Sequence, residues 1–278
     1  RRAQREVRRP EQEVLARDVL DDLTAVPDVV AGGHHVDAVV EEVAADLGRD
    51  AEAPGRVLDV HHREVDAVRL AREHGTPLYV YDEAAIRDRC REFRRAVGPA
   101  GTVAYAGKAF LCKAMVRIVD EEGLALDVVS GGELYTALEA GFPPERIVFH
   151  GNNKSEDELR LALEAGIGAV VIDNHYELDL LERLLASSER RLAVLVRVNP
   201  GVEAHTHAYR KTGQADSKFG LLIETGDALR AVRRILGIPG LRLRGYHAHI
   251  GSQVFELEPY VLAVERLFAF AREVAARY

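Results

Sequence analysis

Short runs of apolar and β-branched residues recur along this chain at a nearly constant interval, and this interval constrains the fold more than any other feature of the sequence. The runs lie at Thr102–Ala106, Ala125–Val129, Arg146–His150, Ala169–Ile172, Leu192–Val198 and Leu243–His249. The first five begin 21 to 23 residues apart. Such an interval accommodates a strand, a loop, a helix and a second loop, so it predicts parallel strands joined by helices.

Amphipathic stretches between the runs supply the predicted helices. In Ser155–Ala165, Leu159 and Leu163 lie four residues apart, and in Tyr176–Ala186 leucines recur three or four residues apart, in both cases among charged side chains. This spacing places the leucines on one face of a helix, where they can pack against a sheet. The alternation of strands and helices fits either an eight-stranded α/β barrel or a doubly wound open sheet.

Two features favour the barrel over the open sheet. The first predicted strand is not followed by a Gly-x-Gly-x-x-Gly segment, which the dinucleotide-binding form of the open sheet carries. Polar residues gather at the carboxyl ends of the predicted strands: Lys108, Asp127, Ser130, His150, Asn152, Asp173, Arg197, Asn199, His247, His249 and Ser252. In a barrel these ends share one face, where active sites lie. We therefore predict an α/β barrel, with six strands in this chain and two more beyond Tyr278.

Composition changes abruptly near residue 75. Residues 1–75 contain eleven arginines but no Lys, Ile, Phe, Tyr, Ser, Asn, Cys or Met, all of which occur later. We therefore treat 1–75 as an atypical N-terminal extension and 76–278 as the barrel domain. Two interpretations of the extension stay open: a misread frame of a GC-rich gene, or a helical segment, since apolar residues in 39–47 follow helical spacing. We assign no chemistry to its histidines, which are His34, His35, His61 and His62.

Charge and cysteine content limit the class of partner. The formal net charge of -8 argues against general nucleic-acid binding, so small molecules are the expected partners. Cys90 and Cys112 belong to no Cys-x-x-Cys or Cys/His cluster, which favours a reducing cytoplasm over a disulfide or zinc framework. Neither a run of about 18 apolar residues nor a secretory signal is visible, so we expect no membrane partner.

Lys108 is the first candidate catalytic residue. It directly follows the first predicted strand, in the segment Ala-Tyr-Ala-Gly-Lys-Ala-Phe at 104–110. A poorly solvated amine among small and aromatic residues suits imine formation with an aldehyde cofactor. The chain has five lysines against 32 arginines, which suggests that an amine is required here. The alternative is an ordinary surface lysine in a loop.

The second candidate segment is Gly-Tyr-His-Ala-His-Ile-Gly-Ser-Gln at 245–253. On a strand, His247 and His249 would point to the same side. Gly251 would let the backbone approach a ligand, and Ser252 could donate to a phosphate. The alternatives are a metal bound by the His-x-His pair, or two hydrogen-bonded histidines in a polar barrel mouth. Without a further clear ligand, we do not expect a catalytic metal.

Six motifs, in order, carry a resemblance to a known family. They read Tyr-Ala-Gly-Lys-Ala-Phe at 105–110, Leu-Asp-Val-Val-Ser-Gly-Gly-Glu-Leu at 126–134, His-Gly-Asn-Asn-Lys-Ser at 150–155, Arg-Val-Asn-Pro-Gly-Val at 197–202 followed by His-Thr-His at 205–207, Asp-Ser-Lys-Phe-Gly at 216–220, and His-Ala-His-Ile-Gly-Ser-Gln at 247–253. Together they resemble the diaminopimelate decarboxylases, pyridoxal 5'-phosphate (PLP) enzymes with an alanine-racemase-type barrel. The resemblance covers Thr76 to Tyr278.

The resemblance implies a set of site residues and a reaction. The implied cofactor-binding residues are Lys108, Asp127, Arg197, His249, Gly251 and Ser252. Lys108 would bond covalently to PLP and His249 would stack on its ring, so these two are the implied catalytic residues. Ser252 would contact the phosphate, and Asp127 and Arg197 would join the polar network around the ring. The implied reaction converts meso-2,6-diaminopimelate to L-lysine and CO2, the last step of lysine biosynthesis.

The family pattern extends beyond this chain. It includes a Gly-rich phosphate loop, a Glu-Pro-Gly-Arg segment and a C-terminal β domain, and its active sites form across a homodimer. The resemblance therefore implies that this 278-residue chain is a fragment without activity of its own. Two alternatives stay open. One is a related decarboxylase of ornithine or arginine, although the segment Asn199–His207 resembles the diaminopimelate branch. The other is a non-catalytic PLP-binding protein or a broken reading frame.

Overall fold

The strands and helices alternate as the spacing predicts. The computed structural model describes residues 59–60, 63–64, 66–186, 188–202, 219–251 and 254–278. The strands are β1 (Asp59–Val60), β2 (Arg63–Glu64), β3 (Ala104–Ala106), β4 (Ala125–Val128), β5 (Ile147–Phe149), β6 (Ala169–Ile172), β7 (Leu192–Asn199), β8 (Leu221–Leu222) and β9 (Leu241–His247). The helices are α1 (Ala67–His74), α2 (Glu83–Val97), α3 (Lys113–Glu121), α4 (Gly131–Glu139), α5 (Glu156–Ala165), α6 (His175–Ala186), α7 (Asp227–Gly237) and α8 (Glu258–Arg277). One α-helix follows each of the strands β3, β4, β5 and β6.

The main sheet has seven strands, and every pairing in it is parallel, which confirms the predicted strand direction. Its order is β3-β4-β5-β6-β7-β8, and β9 also pairs with β7. β9 pairs with Leu192–Arg197 of β7, while β8 pairs with the last two residues of that strand. Within the described strands, β3 pairs with β4 alone. β1 and β2 form a separate antiparallel pair.

Most predicted boundaries are confirmed to within one or two residues. β6 has the predicted bounds, and α5 and α6 match the two predicted helices. The prediction of a strand at Leu243–His249 was wrong at its carboxyl end, because β9 ends at His247. The cause is competition for β7. Beyond Arg197, the edge of β7 that β9 uses is paired with β8, so the chain after His247 leaves the sheet.

The two faces of the sheet bury different kinds of side chain, since successive residues of a strand point to opposite faces. The face toward the helices carries the main core, which includes Leu126, Val128, Ile147, Phe149, Val170, Ile172, Val194 and Val196. The opposite face carries a small apolar cluster of Ala169, Val171 and Leu195. That second face corresponds to the interior of a barrel. The polar side chains of the candidate site follow these residues along the strands.

Three consecutive helices begin with the same local device, a capping side chain with a glutamate three residues later. The pairs are Ser130 and Glu133 at α4, Ser155 and Glu158 at α5, and Asn174 and Glu177 at α6. Each capping oxygen accepts the backbone N–H of the glutamate. Each glutamate carboxylate accepts a hydrogen bond of 2.8–2.9 Å from the backbone N–H of the capping residue or of the residue before it. The device fixes where the chain turns from a strand end into a helix.

The atypical segment 1–75 is described only in part. The structure describes β1, β2 and α1 within it. The apolar spacing in 39–47 lies outside the described residues, as do the four histidines singled out in the sequence. Among the helices that the structure describes, none combines the length and the apolar character needed to span a bilayer.

Candidate active site

A layer of buried polar side chains lies at the carboxyl ends of five strands. Its members are Asp127, His150, Asp173, Arg197, Asn199 and His247, each 1–6% exposed. Their neighbours along the strands belong to the main core, so the alternation of a strand directs this layer to the opposite face. The layer therefore lies on the same face as the small cluster around Val171, at the end of the sheet where the strands stop. The predicted gathering of polar residues is confirmed for these six.

Asp127, His150 and His247 form one contact group within this layer. His150 Nε2 lies 3.0 Å from Asp127 Oδ2, and both side chains are almost fully buried. The rings of His150 and His247 lie 5.8 Å apart between centroids, with an angle of 37° between their planes. A carboxylate and an imidazole so close together can hold a proton between oxygen and nitrogen, away from water.

Arg197 and Asp173 form the second contact group. Arg197 Nη1 donates to Asp173 Oδ1 at 2.7 Å, and its guanidinium carbon lies 4.8 Å from the centroid of the Phe219 ring. The other oxygen of Asp173 accepts the backbone N–H of Gly220 at 3.3 Å. A carboxylate and an aromatic ring thus fix the guanidinium on two sides. Asp173 also connects the end of β6 to the segment that precedes β8.

Lys108 lies at the same edge of the sheet, in the single 3₁₀ turn Gly107–Ala109 after β3. Gly107 packs so closely on β4 that a Cβ there would lie 3.1 Å from the backbone oxygen of Asp127. This contact brings the Lys108 turn beside the Asp127 strand end. The expectation of a poorly solvated lysine was wrong, because Lys108 is exposed. The physical reason is that β3 has one strand neighbour among the described residues, so its turn faces solvent.

Aromatic residues brace the turn that carries Lys108. The Tyr105 hydroxyl donates to the backbone oxygen of Phe110 at 2.8 Å, which closes the turn from both ends. Burial raises the pKa of Tyr105 to about 12, so its hydroxyl stays protonated as a donor. Phe110 stacks on Tyr81, with ring centroids 4.2 Å apart. The Lys108 backbone is therefore held although its side chain is exposed.

The predicted histidine segment is only partly in the polar layer. His247 is buried there, whereas His249 lies two residues beyond the end of β9 and is half-buried. Strand alternation therefore does not determine where the His249 ring points. Gly251 has a φ of +131°, a conformation that residues with a Cβ rarely adopt, which accords with its predicted role in a close approach. Ser252 lies outside the described residues.

Sequence reasoning assigned no role to Lys154 and Glu177, which form a buried ion pair. Lys154 Nζ lies 2.9 Å from Glu177 Oε1, and both side chains are 1% exposed. Burial lowers the pKa of Lys154 and raises that of Glu177, since each charged form loses its hydration. The Asn-x-x-Glu pattern at 174–177 could have indicated Glu177 as a capping residue. No sequence signal indicates Lys154, whose partner lies 23 residues away.

The described residues contain no cluster of three or more His, Cys, Asp or Glu side chains arranged to hold a metal ion. The polar layer offers a carboxylate beside an imidazole and a fixed guanidinium, and the adjacent turn offers the primary amine of Lys108. These groups suit an organic ligand that carries an aldehyde and an anionic group.

Comparison with protein families and curated proteins identifies relatives over the same region. The family described as "Pyridoxal-dependent decarboxylase, pyridoxal binding domain" matches residues 83–278. A diaminopimelate decarboxylase of Bacillus subtilis (strain 168) is 56% identical over 207 residues, which cover 73% of this chain and 47% of that protein. The enzyme of Mycobacterium bovis is 47% identical over 214 residues, covering 77% and 48%. The chain thus spans about half the length of these curated relatives.

Solved structures of diaminopimelate decarboxylases are also similar to this chain. Diaminopimelate decarboxylase from M. jannaschii in co-complex with L-lysine is 35% identical, with a TM-score of 0.69 over 77% of this chain and 51% of that one. The Helicobacter pylori enzyme complexed with L-lysine is 29% identical, with a TM-score of 0.68 over 75% and 53%. A lysine/ornithine decarboxylase from Vibrio vulnificus, at 24% identity and a TM-score of 0.61 over 76% and 52%, shares the fold. The predicted barrel class of fold is confirmed.

Proposed function

Because the chain belongs to the pyridoxal-dependent decarboxylases, we propose that it serves the decarboxylation of meso-2,6-diaminopimelate to L-lysine and CO2, with PLP as its cofactor. Family membership follows from the match over residues 83–278. The choice of substrate is supported by the curated relatives, which are diaminopimelate decarboxylases, and by the two lysine-bound structures.

The described residues fit this cofactor. An aldehyde requires an amine, and Lys108 presents one on the solvent side of the strand ends. Ser252, next to Gly251 with its positive φ, would contact the phosphate, and Arg197 would belong to the polar network around the ring. When bound, the pyridine ring of PLP accepts the electron pair left by the departing CO2.

The side chains of this chain have separate roles in the proposal. Lys108 supplies the amine that binds the aldehyde, and His249 stacks on the planar ring. The Asp127 carboxylate and the His150 imidazole hold a proton at the buried side of the site. Arg197 keeps a positive charge at a fixed position because Asp173 and Phe219 restrain its guanidinium. Ser252 would donate to the phosphate.

The position of Lys108 is the observation that carries the proposal. The structure describes three lysines, Lys108, Lys113 and Lys154. Lys113 lies on α3 and pairs with Glu139 at 3.4 Å. Lys154 is 1% exposed and engaged in the ion pair with Glu177. Lys108 is the exposed amine at the carboxyl edge of the sheet, beside the Asp127 strand end.

Covalent labelling tests this assignment. The protein is incubated with one equivalent of PLP and reduced with borohydride, and its peptides are mapped by mass spectrometry. We expect the label on Lys108, and we expect Lys108→Ala to abolish both the label and the absorbance of the bound cofactor. Lys113→Ala is the matched control, because it removes an exposed lysine from the next helix and should keep both signals. Label on Lys113 or Lys154 in the wild type would contradict the assignment.

The proposal also includes the oligomeric state and the cellular location of the protein. We propose a homodimer in the cytoplasm, an arrangement supported by the family resemblance and by two free cysteines, Cys90 and Cys112.

A comparison of substrates separates the diaminopimelate branch from the alternative decarboxylases. A version of the protein extended to the length of the relatives is assayed with meso-diaminopimelate, ornithine and arginine. Turnover of ornithine or arginine in preference to diaminopimelate would contradict the choice of substrate.

A further inference from the structure

Lys154 is a buried cation with a complete set of acceptors. Its Nζ lies 2.9 Å from Glu177 Oε1, 2.8 Å from the backbone oxygen of Val171 and 2.5 Å from that of Gly151. An ammonium group has three N–H donors, so each donor has one acceptor. A neutral amine beside a charged carboxylate would leave one acceptor without a donor. The geometry therefore matches the charged form, paired with a charged Glu177.

Lys154 acts from behind the site rather than within it. Its Nζ lies 5.8 Å from the centroid of the Phe149 ring, and Phe149 belongs to the core between the sheet and the helices. The polar layer with Asp127 and Arg197 lies on the other face of the sheet. Lys154 therefore lies on the helix side of the strand ends, away from the ligand side. The contacts of Lys154 therefore reach the ligand side through the residues that Lys154 holds.

Glu177 provides the connection to the polar layer. One of its carboxylate oxygens contacts Lys154, and the other accepts the backbone N–H of Asp173 at 2.9 Å. The side chain of Asp173 in turn holds Arg197 at 2.7 Å and the Gly220 N–H at 3.3 Å. A series of ion pairs and hydrogen bonds thus leads from Lys154 through Glu177 and Asp173 to Arg197. Every side chain in this series is at least nine-tenths buried.

Helix capping alone does not account for the lysine. Glu133 and Glu158 cap the two preceding helices by the same device, and both are only partly buried. Glu177 is 1% exposed and is matched by an equally buried cation. Burying a second charge carries a desolvation cost that a cap does not require. The pair is therefore better explained by what it holds in place than by the stability of α6.

We propose that Lys154 and Glu177 form a positioning pair, which sets the location of Asp173 and, through it, of Arg197 and the Gly220 backbone in the cofactor site. The link to the cofactor rests on the proposed function. The proposed effect of the pair on the position of Asp173 does not depend on that function.

The test separates positioning from stability by removing both charges together. Lys154→Met leaves the Glu177 charge buried without its cation, so it should lower the thermal midpoint and disturb the site at once. The double variant Lys154→Met/Glu177→Met leaves no unpaired charge, and replacing a buried ion pair by apolar groups is often neutral for stability. The matched control is Lys113→Met/Glu139→Met, which makes the same changes at a pair whose side chains are about half exposed.

Three quantities are measured on each variant: the thermal midpoint, the exchange rate of the Gly220 amide by NMR without cofactor, and the PLP dissociation constant by absorbance titration. In the double variant we expect a thermal midpoint near that of the wild type, but faster Gly220 exchange and a PLP dissociation constant raised about tenfold, as for outer-shell partners of metal ligands. The control pair should change none of the three quantities.

Wild-type Gly220 exchange or wild-type PLP affinity in the double variant would overturn the inference, because the pair would then be only structural. Glu177→Gln is the second variant, should the double variant not fold. Its side chain has a single acceptor oxygen for the two donors that Glu177 now serves, so Gly220 exchange should again rise, and an unchanged rate would overturn the inference. Failure of the wild type to bind PLP would refute the proposed function, while the exchange rates would still decide the positioning.

Discussion

At the scale of single residues, the candidate site combines fixed groups on strands with accessible groups on turns. His150 and His247 are 5% and 1% exposed at strand ends, where the sheet limits their movement. Lys108 and His249 lie on the chain after a strand, exposed and half-buried respectively. Accessible groups can bind a ligand, and the buried groups below them set the electrostatic surroundings.

The stacking role of His249 predicts a loss of affinity without a loss of stability. His249→Ala should weaken PLP binding by about 0.5–1.5 kcal/mol, the range for an aromatic pair. The free energy of unfolding should change by less than about 0.5 kcal/mol, because the side chain is half-buried and lies outside the strand. PLP titration and chemical denaturation followed by circular dichroism measure the two quantities.

His247→Ala is the informative counterpart of that variant. Its ring is 1% exposed within the polar layer, so its removal should lower the free energy of unfolding by about 1–3 kcal/mol. Wild-type PLP affinity in His249→Ala would show that this histidine does not contact the ring. Equal effects of the two variants on stability would contradict their different placement.

The residues that sequence analysis found and those it missed differ in how local their signal is. Lys108 and Asp127 could be placed at strand ends because each belongs to a short motif at a predicted strand end. Lys154 could not be assigned a role, because its acceptors belong to Gly151, Val171 and Glu177, and only the folded chain brings them together. The exposure of Lys108 was also mispredicted, since the burial of a turn depends on its neighbouring strands.

At the scale of secondary structure elements, one face of α2 clamps the end of α3. Arg87 and Arg91 both bond to the Glu122 carboxylate at 2.8–3.0 Å, and Arg94 donates to the Glu122 backbone oxygen at 2.8 Å. The three arginines are four and three residues apart, so they share a helix face. Cations at the carboxyl end of a helix also interact favourably with its dipole. This contact holds α2 beside the strand β4 that follows α3.

Glu122→Gln tests the clamp and gives it a pH dependence. The hydrogen bonds from Arg91 hold the pKa of Glu122 below its ordinary value of 4.5. A carboxyl whose folded pKa is depressed contributes stability above the unfolded pKa and loses it as the pH falls through the folded pKa. Glu122→Gln should therefore lower the free energy of unfolding by about 1–3 kcal/mol at pH 7. The difference from the wild type should shrink as the pH falls below 4.5.

Urea denaturation followed by far-ultraviolet circular dichroism measures this difference, since the chain contains no tryptophan. Glu92→Gln is the matched control on α2, because Glu92 and its partner Arg89 are each about half exposed. An exposed pair contributes less than about 1 kcal/mol, so the control should stay close to the wild type. A difference for Glu122→Gln that does not change between pH 7 and pH 3 would contradict the electrostatic explanation.

The elements themselves were largely predictable, and the exceptions have physical causes. β6 is a continuous apolar run between polar turns, and its bounds follow directly from the sequence. β8 was missed because its two residues, Leu221 and Leu222, are too few to show a period. The end of β9 was misplaced because its pairing with β7 stops where β8 begins, a competition that no local pattern reveals.

At the scale of the whole molecule, the described sheet has open sides. Within the described residues, β3 pairs only with β4, and β9 only with β7. Unpaired strand edges expose backbone donors and acceptors and favour association with other chains. The chain also spans about half the length of its curated relatives. The resemblance places the Gly-rich phosphate loop and the Glu-Pro-Gly-Arg segment, whose glutamate would face the pyridine nitrogen, in the remainder of the family pattern.

We accordingly expect the 278-residue chain, assayed alone, not to turn over meso-diaminopimelate. The measurement compares lysine formation at saturating PLP between this chain and a version extended to the length of the relatives. Size-exclusion chromatography of both forms should show more self-association in the shorter one. Comparable turnover by the two forms would mean that the essential groups all lie within these residues.

The alternation of faces along β7 has a consequence for how this sequence tolerates change. Val194, Val196 and Val198 pack toward the helices, whereas Leu195 and Arg197 lie on the opposite face. In a library that varies every position of this strand, the effect of a replacement should therefore alternate from one residue to the next. Replacements of the three valines would reduce the yield of folded protein. Replacement of Arg197 would lower ligand binding as well as stability, because it leaves the Asp173 carboxylate buried without its cation. This strand thus carries a requirement for folding along its whole length and a requirement for ligand binding on one face only.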